Sequence, residues 1–102
     1  MWMAGIYDGM MATALAIEAA GSADNKTTIR DKFREVTAGG TKVTASAIGE
    51  GLAIAGSEDI DYDGIFSEAF EYDANGDFTL ESSSYVLWGF DASGAIVTVS
   101  AL

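Results

Sequence analysis

The stretch Phe70-Glu71-Tyr72-Asp73-Ala74-Asn75-Gly76-Asp77-Phe78-Thr79-Leu80 divides the chain. Phe66, Phe70 and Tyr72 fall on one face and Ser67 and Glu71 on the other, with Glu68 out of step. Phe78 and Leu80 resume the alternation after Asn75-Gly76, a dipeptide that suits the positive φ of a tight hairpin. From Gly64 onward the apolar period is therefore near two, and the reading is a run of antiparallel hairpins. Tyr85 to Phe90, which holds Trp88, reads as a strand. Asp91-Ala92-Ser93-Gly94 reads as a second turn, and Ile96 to Val99 as a last strand.

Before Gly64 the period is helical. Met3, Ile6, Tyr7, Met10, Met11, Ala14, Leu15 and Ile17 recur at helical spacing as far as Ala20, and Gly21 is the expected stop. Asp24 or Asn25 caps a second helix to about Val36, with Ile29, Phe33 and Val36 on one face. Asp31 and Arg34 are spaced to pair on its surface. Thr44 or Ser46 caps a third helix to Ala55, with Ile48, Leu52 and Ala55 inward. Gly49 and Gly51 each cost that helix about 1 kcal/mol relative to Ala. Ser57 to Gly64, with Glu58, Asp59, Asp61 and Asp63, reads as a solvated acidic loop. Helices followed by strands make an α+β unit with no strand-helix-strand crossover. The division is 1–56 helical and 65–102 β-hairpin, within a single unit spanning 1–102.

Composition narrows the function. The 102 residues carry 16 Asp plus Glu against 5 Lys plus Arg, a formal charge of -11. That opposes binding to nucleic acid or to an anionic membrane surface. With 49% apolar residues the chain can bury a core. It has no Cys and no His, which excludes thiolate nucleophiles, disulfides, imidazole metal sites and the Ser-His-Asp triad. Carboxylates and lysines remain, but nothing groups them, so no enzyme, cofactor or metal site is expected.

Individual clusters have ordinary readings. Asp73-Ala74-Asn75-Gly76-Asp77 begins like a calcium loop, but Phe78 stands where Gly is needed and Ser84 where Glu is needed. A polar hairpin turn is the simpler reading. The carboxylates of the acidic loop suggest a cation or acid–base pair only if something holds them rigid. Trp2, Tyr7 and Met10 form a stripe that reads either as core or as one wall of a ligand pocket. No stretch approaches the roughly 20 apolar residues of a membrane span. The N-terminus lacks the basic region of a signal peptide.

Three segments taken together resemble a known family. They are Ile6-Tyr7-Asp8-Gly9 with Leu15 to Ser22; Thr28-Ile29-Arg30-Asp31 to Val36 with Gly40-Thr41-Lys42-Val43-Thr44; and Gly56 to Gly64 with Phe70 to Asp77 and Tyr85-Val86-Leu87-Trp88. Their order and spacing resemble the C-terminal part of the periplasmic solute-binding proteins of branched-chain amino-acid (or amide and urea) ABC transporters. The resemblance implies a parent fold of the type I periplasmic-binding class, with two α/β lobes closing on a ligand. It implies capture of a small amino acid or amide, an exported location, and an ABC permease as partner. It places Trp2 at a position that approaches the cleft and matches Tyr7 and Asp8 to the family motif, so Trp2 and Tyr7 are the expected ligand-binding residues. A chain that enters apolar periodicity at Met1-Trp2-Met3 reads as a severed piece, expected to bind ligand weakly and to associate with itself.

Overall fold

The structure is a computed structural model in which residues 2–66, 71–79 and 86–101 are described. Trp2–Ala20 forms helix α1, closed by Gly21 at φ 65°. Lys26–Glu35 forms α2, whose cap is Asn25; its side chain accepts from the Thr28 amide at 3.1 Å. Both helices follow the sequence reading, because Ala-rich periodicity, a polar cap and a C-terminal Gly agree there. Arg34 and Asp31 approach to 3.7 Å, as their spacing predicts.

The next segment corrects that reading. Thr41–Thr44 is a strand, β1, and Ile60–Asp63 is another, β2. They pair in parallel, with Lys42 opposite Asp61 and Val43 opposite Tyr62. Between them run a 3-10 turn, Ala45–Ala47, and helix α3, Ile48–Ile54. The chain thus contains the strand-helix-strand crossover that its sequence did not suggest. No side-chain bond caps α3, so neither Thr44 nor Ser46 serves as its cap. The acidic loop is also corrected: only 57–59 and Gly64 lie outside the strand, and Ile60, Asp61 and Tyr62 are buried. The other side of β2 is occupied too, since the Tyr62 amide donates to the Val36 carbonyl at 2.9 Å and Thr37 bridges Asp61.

The core gathers Ala12, Leu15, Ala16, Val36, Val43, Ala55, Ile60 and Tyr62. Ile29, Phe33, Ile48 and Leu52 pack on it partly buried. Alanines on α1 let its neighbours approach closely. The predicted α1 stripe is buried only in part: Leu15 is fully buried and Met11 packs on the core, but Met3, Ile6 and Met10 are exposed, and Asp8, Ala12 and Ala16 face inward beside Leu15. Gly51 is buried against β1, where an added Cβ would collide with Val43 Cγ1. The glycine that weakens α3 as a helix is what allows it to lie on the sheet.

Beyond Gly64 the hairpins appear as expected. Glu71–Tyr72, β3, pairs antiparallel with Phe78–Thr79, β4. Val86–Phe90, β5, pairs antiparallel with Ile96–Ala101, β6. Asp73 and Asp91 build the same turn in both. Each carboxylate accepts the backbone N–H groups two and four residues on, at 2.8 to 3.0 Å, with Gly76 at φ 85° and Gly94 at φ 81°. Both carboxyls are held below their ordinary range, Asp73 chiefly by the Asp77 backbone N–H and Asp91 chiefly by the Ser93 hydroxyl, which donates to it at 2.6 Å. The whole is a small α+β unit with N-terminal helices and short sheets, but the helical part at 1–56 contains a strand. The readings at Phe70, Leu80 and Tyr85, and at 67–69, lie outside the described residues.

Candidate functional site

Parallel strands end together, and their following loops splay apart. The crevice at their carboxyl ends is the usual ligand position in parallel α/β arrangements. Here β1 ends at Thr44 and β2 at Asp63. A groove of about 580 Å³ opens at that edge, lined by Thr44, Ala45 and Ser46 from one strand end, Asp63, Gly64 and Ile65 from the other, and Tyr7 from α1.

The groove is built around Asp8, which is fully buried. Its Oδ1 accepts from the Tyr62 hydroxyl at 2.9 Å and the Ile65 amide at 2.9 Å, and its Oδ2 from the Phe66 amide at 2.7 Å. One carboxylate thereby ties α1 to β2 and to the loop that leaves it. Burial, then the bond to Asp8, pushes the Tyr62 phenol well above its usual range, so it stays a donor. Gly64 runs so close to this carboxylate that a Cβ there would lie 2.6 Å from Oδ2. Tyr7, one residue before the tie, is 37% exposed and faces the groove.

Lys42 settles the charge at the rim. Its ammonium lies 2.8 Å from Asp61 and 2.9 Å from Asp63, and those bonds raise its pKa. The acidic residues are thus held on a strand, as the sequence reading did not foresee, but by a lysine that neutralises part of their charge. Thr44 Oγ1 and Ser46 Oγ bond each other at 3.0 Å. The groove offers hydroxyls, a partly compensated carboxylate, a phenol and an apolar wall at Ile65. That set can orient a small polar ligand by hydrogen bonds.

Of the two expected ligand residues, Tyr7 lines this groove, and Trp2 opens α1 with its side chain outside what is described. Met10 is 61% exposed and does not line it. Thr44 and Ser46 were read from sequence only as helix caps, and Ile65 was not singled out. Their signal was the alternation Thr41-Lys42-Val43-Thr44 and Ile60-Asp61-Tyr62-Asp63, two strands each ending in small or polar residues. At Asp73 the carboxylate is engaged by its own turn, and no cluster of three potential metal ligands occurs among the described residues. No described helix is long and apolar enough to cross a membrane. The chain matches no family model, no curated protein and no solved structure.

Proposed function

We propose that the chain is the C-terminal part of a solute-binding protein that captures a small amino acid or amide for an ABC importer. In this reading the parent has two α/β lobes and is exported to the periplasm. It hands its ligand to a membrane permease and performs no bond chemistry. The observation that carries the reading is the groove at the carboxyl ends of β1 and β2, with Tyr7 on its wall. Tyr7-Asp8-Gly9 and Asp61-Tyr62-Asp63-Gly64 are separate stretches of the resemblance, and the Asp8–Tyr62 bond joins them in space. A lone groove this shallow supplies one side of a cleft, and desolvating a zwitterion takes both.

The test is to read the DNA upstream of Met1 in frame, then titrate the whole encoded protein with leucine, valine and short amides. The expected result is a longer frame beginning with a signal peptide. Saturable binding should follow, weakened at least about tenfold by Tyr7→Ala. A stop codon and ribosome-binding site just before Met1 overturns the reading, as does a whole protein that binds none of these ligands.

A second reading has its own support. As a free-standing interaction domain the chain would use its exposed apolar surface: Met3, Ile6 and Met10 on α1, and Trp88, Phe90, Ile96 and Val99 on the β5–β6 hairpin. Such a surface suits self-association, which a monomer at every concentration would exclude.

A further inference from the structure

Basic side chains are scarce in this chain, five against 16 acidic ones, and four of the five lie on α2. Lys32 pairs with Glu35, Lys42 with Asp61 and Asp63, and Arg30 with Asp31 through its Nε and Nη2. Lys26, Arg30 and Arg34 recur every four residues and so follow one face of the helix. All three line a second groove, of about 600 Å³, that runs between α2 and the β3–β4 turn. Its lining includes no carboxylate, although the chain is rich in them. Two other grooves do include carboxylates: the one at the strand ends has Asp63, and a smaller one has Asp31, Glu35 and Asp73.

The floor of the basic groove is apolar. Ile29, Phe33 and Tyr72 form it, and the Phe33 and Tyr72 rings meet edge to face at 5.0 Å. Burial, then the nearby Asp8, raises the Tyr72 phenol, which keeps it uncharged. Arg34 is held in place, since its Nη1 donates to the Ala74 carbonyl at 2.6 Å. That acceptor is neutral and leaves the guanidinium charge intact, with further N–H donors to spare. Asp31 offsets part of the charge of Arg30 and Arg34, at 2.7 and 3.7 Å. Lys26 makes no ion pair among the described residues.

We infer that this groove is a binding site for a small organic acid: a carboxylate head against the Lys26–Arg30–Arg34 row and an aromatic or branched apolar body on Phe33 and Tyr72. The chemistry is complementary at both ends. A carboxylate gains charge-assisted hydrogen bonds from the guanidinium and ammonium groups, and a flat body covers the part of the half-buried Phe33 and Tyr72 rings that lines the groove. The volume lies within the roughly 300–1,000 Å³ of small-molecule sites. The site is independent of the strand-end groove and of the receptor reading.

The experiment is an amide-resolved NMR titration of the chain with 2-naphthoate and, in parallel, with its neutral counterpart 2-naphthamide. The expected result is saturable shifts at residues 26–34 and 74–76, with the acid binding at least about tenfold more tightly. The exposed-rim double variant Lys26→Gln/Arg30→Gln should keep its dispersed spectrum and reduce that preference to about one. Equal affinity for acid and amide overturns the proposal. So does a preference that the double variant retains, or shifts centred on the β5–β6 hairpin.

Discussion

Asp8 shows how much one side chain decides. Three donors converge on its two oxygens, so both must accept. Asn in its place offers one acceptor and one amide group, and at least one buried N–H then faces another donor. Asp8→Asn is expected to cost about 1–3 kcal/mol, read as a lower urea midpoint with unchanged slope. Tyr62→Phe should cost less, because two donors to Asp8 remain. Gly51 sets two effects against each other. Ala would favour the helix by about 1 kcal/mol, but its methyl collides with Val43, and overpacking costs about 1–3 kcal/mol. Gly51→Ala is expected to lower the melting temperature, and a rise would mean that β1 yields more easily than its packing implies. The spacing of Tyr7-Asp8-Gly9 was visible in sequence. The burial of Asp8 was not, because an aspartate within a helix is ordinarily a solvated residue, and its donors lie 54 or more positions away.

Among the elements, α1, α2 and the hairpins were legible because their cues are local: a cap, a period, an Asn-Gly turn. Strand β2 was misread, although Ile60-Asp61-Tyr62-Asp63 alternates apolar and acidic residues as a strand should. Four acids in six residues, Glu58 to Asp63, suggested solvent, and what makes them tolerable is Lys42 across the pair. Lys42→Met is expected to destabilise the parallel pair, since it leaves Asp61 and Asp63 facing each other without a cation. The loss should be largest at low salt, as repulsion is then least screened. The hairpin turns carry a pH dependence. Asp73 and Asp91 titrate below their unfolded value of about 3.9. Their contribution is therefore full above that value and is lost as pH falls through the lower folded one. Cross-strand amide contacts of β5–β6 should weaken below about pH 4, and Asp91→Ala should remove that part of the acid transition.

At the scale of the whole molecule, surface is the telling quantity. The chain exposes 6729 Å², where a compact monomer of its 10.6 kDa would expose about 5,500 Å². Its radius of gyration is 16.5 Å, against about 13 Å for 100 residues in one compact domain. The β5–β6 hairpin contributes, with Trp88 60%, Phe90 66% and Ile96 71% exposed. A two-stranded hairpin with apolar faces is marginal alone and gains by being covered. Sedimentation is expected to show association rising with concentration, and Phe90→Lys/Ile96→Glu should reduce it. What the sequence determined by itself was the local order: helices first, hairpins after, an acidic surface, and no thiol or imidazole chemistry. The parallel pairing of β1 and β2, the choice of the alanine face of α1 as the buried one, and the groove beside Tyr7 were decided only in the tertiary structure. Each depends on groups far apart in the chain, and their energies arise only when those groups are desolvated together.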